Sequence, residues 1–329
     1  MSHATTTLND TTKSGSRSLL NLLQRFSVVL ILLVIGLIFA LGSPDFLKVS
    51  NLLNVGLQTS IIAIVAIGVT FTILTSGIDL SVGSVMALSG AVAAGMASRN
   101  GLGTVPAIAI ALLAGTGVGL VNGLLIVRGG MPPFVSTLAT LAVARGLTLV
   151  YTQGRPIAGL SKSFTWLGNG TVVGIPMPII ILAVVAVIAW IVLRQTRFGL
   201  YVYAVGGNEE TTRLAGVSPA RIKLAVYMIS SFMAAIGGIL LTARLSSAQP
   251  NAASGWELDA IAAPVLGGVS LFGGVGGVGG TIIGALIIGV LSNGLNLLGI
   301  SSYYQLVIKG AVFVLAVLLD LATKQRRNK

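Results

Sequence analysis

Cysteine is absent from the 329 residues, and the one histidine, His3, lies in a polar N-terminal stretch. The first absence excludes disulfides, thiolate nucleophiles and thiolate-held metals. The two together leave no metal site and no histidine base, so an intramembrane enzyme is a poor reading and no metal or cofactor is expected. Charge is scarce too: Asp, Glu, Lys and Arg make up 9% of the chain, against about 25% in a soluble domain. That is too little to cover a globular surface, which excludes a soluble enzyme, and too apolar a chain for general disorder. Acidic residues number 8 against 20 basic ones, for a net charge of +12. In a soluble protein such an excess would suggest nucleic acid. Here the placement of the basic residues matters more, and no nucleic-acid partner is expected. No G-x-x-x-x-G-K-[ST] stretch occurs, so ATP has no phosphate loop to bind.

What is abundant is apolar: 54% of the residues are hydrophobic, and the mean hydropathy is +0.97. A helix takes about 20 residues to cross a bilayer. Apolar runs recur over 26–42, 55–76, 82–98, 104–127, 133–152, 176–193, 223–243, 259–273, 278–298 and 303–320. The first run ends in Ala40-Leu41-Gly42, which resembles a signal-cleavage site. It is longer than the usual apolar core of a signal peptide, and more spans follow, so it reads as an uncleaved helix. Residues 1–25 read as a disordered cytoplasmic tail and 322–329 as a basic one. With the N-terminus inside, the inner loops hold most of the Lys and Arg, including Arg25, Arg128, Arg194, Arg197, Arg213, Arg221, Lys223 and Lys324. The outer loops hold Lys48, Arg99, Arg155, Lys162 and Arg244. The excess of positive charge inside predicts an all-α, polytopic protein of about ten spans occupying 26–321, with both termini cytoplasmic.

Two pairs of segments repeat in the same order. Ser76-Gly77-Ile78-Asp79-Leu80 matches Ser254-Gly255-Trp256-Glu257-Leu258, and Leu120-Val121-Asn122-Gly123-Leu124 matches Leu291-Ser292-Asn293-Gly294-Leu295. Five spans separate the members of each pair. An odd number inverts the topology, so an inverted five-helix repeat is predicted, with halves over about 26–152 and 176–320.

Few polar residues sit within or between the runs. Asp79 or Ser81 is read as a cap of the third span, with contact of Asp79 to a transported solute as the sharper alternative. Glu257 and Asp259 invite the same two readings at the eighth. Asn122 and Asn293 suit hydrogen bonds between helices, or contact with a polar solute. Arg145 and Lys309 fall inside spans, where binding to backbone carbonyls or snorkelling is the ordinary expectation. Gly274-Val275-Gly276-Gly277-Val278-Gly279 fits the dinucleotide pattern but follows no strand, so close helix packing or a flexible inner turn is expected instead. Gly115, Gly119 and Gly123, and likewise Gly276, Gly280 and Gly284, are spaced for close helix contact.

The inner loop over about 195–222 carries local helix signals. Asn208 suits an N-cap, Glu209 and Glu210 a first turn, and Gly216 the residue after a helix end. Ser218 and Pro219 then suit the start of the next span. A short cytoplasmic helix is predicted, and a helix so short is marginal unless it docks on something.

Gly206-Gly207-Asn208-Glu209 with Thr212-Arg213-Leu214-Ala215-Gly216 resembles the cytoplasmic loop of sugar permeases of the ATP-binding-cassette importers. Ile73–Ser84, Leu245–Pro250, Glu257–Ala263 and Asn293–Gln305 resemble the same family, in particular its ribose-carrying branch. The resemblance implies a multi-pass permease of the bacterial inner membrane that performs no covalent chemistry. It implies a homodimer of permease chains, a two-copy ATP-binding-cassette subunit and a periplasmic sugar-binding protein. It also implies that Asn208, Glu209, Glu210, Arg213, Leu214 and Gly216 couple the permease to the ATPase. Asp79, Asn122, Glu257, Asp259 and Asn293 are then the candidates for the sugar path or its gates. The alternative is a secondary carrier coupled to H⁺ or Na⁺.

Overall fold

A chain segment in hydrocarbon must satisfy its own backbone amides, so each apolar run is expected to close into helix. The computed structural model describes residues 28–327; the expected tail over 1–25 lies outside them. The helices run in order α1 (Val28–Gly42), α2 (Val49–Leu74), α3 (Val82–Ala94), α4 (Thr104–Val127), α5 (Pro133–Thr152), α6 (Lys162–Asn169), α7 (Met177–Gln195), α8 (Arg197–Gly207), α9 (Glu209–Leu214), α10 (Pro219–Leu245), α11 (Trp256–Leu266), α12 (Val278–Leu297) and α13 (Ser302–Arg327). Every predicted run holds a helix. Six of them, α2, α4, α5, α7, α10 and α12, are long and apolar enough to cross a membrane. The basic stretch expected as a tail over 322–329 continues α13 as helix to Arg327.

The run expected over 259–273 behaves differently. It is helical only over Trp256–Leu266, about 16 Å at 1.5 Å per residue, short of the roughly 30 Å of hydrocarbon. Gly268, Gly273 and Gly274 then take left-handed backbone, at φ +83°, +84° and +72°, and this ends the helix. α3 is also short, and a π-turn over Gly95–Arg99 extends it.

Two pieces between spans have structure the sequence did not suggest. α6 and a two-residue hairpin, β1 (Thr171–Val172) with β2 (Ile175–Pro176), fill the connection before α7. Ser161 caps α6 through Phe164 N–H at 3.3 Å, and Phe164 packs with Ile239 and Ala243 of α10. Asn169 Nδ2 donates to the Ala243 and Arg244 carbonyls at the end of that helix.

The core is built on α2 and α10. In their apolar windows 83% and 67% of residues are buried, against 22–33% for α4, α5 and α7. α2 packs on α10, α11 and α12, and α10 packs on α2, α3 and α4. α3 touches α4 and α5, and α11 touches α12 and α13. Exchanging α2 with α10, α3 with α11, α4 with α12 and α5 with α13 maps this set of contacts onto itself. Glycine allows the closest approaches. A Cβ at Gly119 would strike the Tyr227 carbonyl and Ser231 of α10, and one at Gly284 would strike the Ala263 carbonyl of α11. Both glycine ladders therefore act as packing faces, as their spacing predicts.

Candidate functional site

Three polar groupings stand out against this apolar background: a buried network at the α2–α3 break, a cluster where α3 meets α11, and the short helix α9.

Asp79 is fully buried at the break between α2 and α3. Its Oδ1 accepts from the Ser81 hydroxyl at 2.6 Å and the Ser81 N–H at 3.0 Å. Its Oδ2 accepts from the Ser230 hydroxyl of α10 at 2.7 Å. Ser81 stands at the N-cap of α3, but no side chain bonds the first-turn amides there. Asp79 thus braces the turn and ties it to α10 rather than capping the helix. Asn122 of α4, also fully buried, donates to Ser81 Oγ at 3.0 Å and accepts from Thr140 of α5 at 2.6 Å. The network joins four helices. Thr140 and Ser230 were not singled out in the sequence, because an isolated Ser or Thr in an apolar run carries no local signal of its partner.

Asn293 is committed elsewhere. It exchanges two hydrogen bonds with Asn51 of α2, at 2.8 and 2.9 Å. Both asparagines thus make interhelical hydrogen bonds.

The N-termini of α3 and α11 meet. A Cβ at Gly83, in the first turn of α3, would collide with the Glu257 carboxylate and the Ala253 carbonyl. Beside them Arg145 of α5 donates to the Pro250 and Ala252 carbonyls at 3.0 and 2.9 Å, the ordinary expectation for an arginine within a span. Lys309 departs from that expectation. It pairs with Asp259 of α11 at 2.8 Å. The structure therefore separates the two acids of α11: Glu257 lies over α3, and Asp259 faces α13. A cavity of about 190 Å³ beside this ion pair is lined by Ser254, Trp256, Asp259, Leu306, Lys309 and Phe313, among others.

In the loop over 195–222, the predicted helix is present as α9, six residues long. Asn208 Oδ1 accepts the Thr211 N–H at 2.8 Å, and Gly216 takes φ +83° just beyond the end. Both signals lie in local sequence. α10 begins with Pro219 at its first position as expected, although the Ser218 side chain makes no cap bond. Glu209 pairs with Lys223 of α10, and Glu210 with Arg213, each at 2.6 Å. The hydrogen bond to Glu210 holds the Arg213 guanidinium above its ordinary pKa, so it is charged at any physiological pH. Leu214 is 79% exposed at the tip, an apolar side chain that nothing among the described residues covers.

α9 is not isolated from the membrane region. It follows α8, whose Gly206 lies so close to the Leu74 carbonyl and to Gly274 that no Cβ would fit. The Gly274 N–H donates to that Leu74 carbonyl at 3.0 Å, and Ser76 Oγ donates to the Phe272 carbonyl at 2.8 Å. The end of α8, the end of α2 and the loop between α11 and α12 are therefore clasped together, three residues from Asp79. A cavity of about 420 Å³ under this clasp is lined by Ser76, Asn208, Glu209, Lys223 and Tyr227, among others.

Comparison with known proteins adds to this geometry. The chain matches the family described as branched-chain amino acid transport system / permease component over residues 51–317. It is 48% identical over 303 residues to the ribose import permease protein RbsC of Escherichia coli (strain K12), covering 91% of this chain and 94% of that protein. It is 49% identical over 300 residues to RbsC of Bacillus subtilis (strain 168), covering 91% and 93%. With the D-allose transport system permease protein AlsC of Escherichia coli (strain K12) the identity is 39% over 298 residues, covering 90% and 91%. No solved structure matches the chain.

Proposed function

The chain belongs to this permease family, and we propose that it is the membrane-spanning subunit of an ATP-binding-cassette importer that carries ribose into a bacterial cytoplasm. The observation that carries the cargo is the identity of 48–49% with ribose permeases across nine-tenths of the chain, against 39% with the allose permease. A carrier coupled to H⁺ or Na⁺ is not favoured by these relatives.

In this reading the chain sits in the inner membrane as a homodimer and hydrolyses no ATP itself. Two copies of an ATPase subunit dock on the two α9 helices, and a periplasmic sugar-binding protein delivers ribose from outside. The ten spans and the inverted five-helix repeat belong to the same reading. The exchange of α2–α5 with α10–α13 that preserves the helix contacts supports the repeat, as does the meeting of two short helices by their N-termini. ATP binding moves α9 by its differential affinity for the two states of the permease. The clasp at Gly206, Leu74 and Gly274 links that movement to the α2–α3 break. There the bonds from Asp79 hold α3 against α10, and Glu257 and Arg145 flank the sugar path.

The deciding experiment reconstitutes the purified chain in liposomes, alone and with a cassette ATPase and a ribose-binding protein. The lone chain should show no ATP hydrolysis, and ribose should stimulate hydrolysis and uptake only in the full assembly. Robust hydrolysis by the lone chain, or an assembly indifferent to ribose, would sink the reading.

Topology has its own test. α3 runs outward and α11 inward if both termini are cytoplasmic, so Ser76 belongs to the inner face and Ser254 to the outer. Both are exposed, and the native chain offers no competing thiol. Ser254→Cys should react with an impermeant thiol reagent in whole cells, and Ser76→Cys only in inside-out vesicles. Labelling of both from one side contradicts the orientation and the repeat together.

A further inference from the structure

We propose that the cavity between α11 and α13 is a transit site for a single monosaccharide, held by Trp256, Asp259, Lys309 and Ser254. The proposal rests on the importer reading and adds a place where the sugar pauses.

Location is the first argument. Lys309 lies seven residues into α13, about 10 Å below its outer end, within the hydrocarbon thickness if that helix spans. Its side chain is 25% exposed, and that of Asp259 is 11% exposed. A partly exposed ion pair is costly against lipid and is stable where its open side faces water or protein. This face of α11 and α13 therefore borders water or protein rather than acyl chains. A second cavity in the molecule shows the contrast. It measures about 310 Å³ and is lined by Phe71, Ile188, Phe232 and Met233, a surface suited to hydrocarbon.

Size and chemistry are the second argument. At about 190 Å³ the cavity is smaller than the 300–1,000 Å³ of drug-sized sites and suits one small ring. A sugar ring has apolar C–H faces and a rim of hydroxyls that both donate and accept. Trp256 and Phe313 offer apolar ring surface for a face. Asp259 accepts from hydroxyls, Lys309 donates to them, and Ser254 does either. The Asp259–Lys309 bond orients both groups in advance, so little ordering is needed on binding. Gly310, with open space where a Cβ would stand, leaves the floor clear. A site used in transit must release its cargo, so binding is weak, in the millimolar range.

Two measurements test this. The first uses the purified chain carrying Trp166→Phe and Trp190→Phe, which leaves Trp256 as the one indole. Ribose at millimolar concentration should shift its emission, and glycerol at the same concentration should not. No response to ribose from the folded protein overturns the proposal by itself. The second uses the full assembly in liposomes, where ribose uptake by the unaltered chain first tests the importer reading. Trp256→Ala, and the neutral pair Asp259→Asn with Lys309→Gln, should each lower ribose uptake about tenfold, the loss of one good contact. They should also change the ratio of ribose to allose uptake, and Trp256→Phe should restore most of the activity. Equal losses for both sugars, unrescued by Phe, mark a structural role and overturn the site while the importer reading stands.

Discussion

Reversing the charges of α9, by Glu209→Lys with Glu210→Lys or by Arg213→Glu, is expected to abolish ATP-driven sugar uptake while the membrane helices stay folded. The folding side of this expectation follows from exposure. The Glu210–Arg213 pair is more than 60% exposed on both sides, and such pairs add little to stability in water. Glu209–Lys223 is better sheltered on the lysine side, yet its loss should cost no more than about 0.5 kcal/mol. Asn208 and Gly216, which set the two ends of the helix, are untouched. The functional side follows from what α9 presents: two acids, one arginine and a bare Leu214 on a helix that hardly stands alone. A partner that docks there reads charge and shape at close range, and a like-charge contact is costly. Uptake should fall at least tenfold, co-purification of the ATPase should weaken, and the melting temperature should hold. Normal uptake in all these variants removes α9 from the coupling route. A lowered melting temperature with intact co-purification assigns α9 a folding role instead.

The second large effect is expected at Asp79. Asp79→Ala orphans the Ser81 N–H, the Ser81 hydroxyl and the Ser230 hydroxyl in a fully buried place. Leaving a buried donor unpaired costs about 1–3 kcal/mol, so the variant should lose roughly 3 kcal/mol or more. Thermal unfolding of the purified chain in detergent should show a clear drop. Asp79→Asn keeps an acceptor and should lose less. Ser230→Ala removes one donor together with its need, and should be milder than Asp79→Ala. The two changes should be non-additive by about 1 kcal/mol, since they share one bond. Additive effects would mean that the carboxylate and Ser230 act independently. Uptake should fall with Asp79→Ala even where enough folded protein is recovered, because α3 is no longer held to α10 next to the clasp that reaches α9.

Legibility in the sequence depended on the range of the interaction. The ends of α9 were readable because a cap and its amides lie within four residues: Asn208 reaches Thr211, and Gly216 turns the chain directly after the helix. The glycine ladders were readable for a similar reason, since spacing on one helix is a local property. Partners across helices were not. Asp79 reads as a cap, or more sharply as a solute contact, until Ser230 is placed beside it. Lys309 reads as a snorkelling residue until Asp259, fifty residues away, turns out to face it. The short α11 was hidden as well, because hydropathy continues past Leu266 through residues that are apolar but include glycines with left-handed backbone.

Composition and hydropathy by themselves determined that the chain is helical and apolar enough for a bilayer, because backbone amides in hydrocarbon admit few other solutions. Local motifs determined the short helix α9 and the family resemblance that the comparisons bear out. The tertiary structure alone decided which polar groups meet: Asp79 with Ser230, Asn122 with Ser81 and Thr140, Asn51 with Asn293, and Asp259 with Lys309. These pairings depend on how helices distant in sequence pack. In an interior this apolar a buried carboxylate, amide or ammonium pairs with whichever group that packing brings within about 3 Å, and no pattern along the chain encodes that distance.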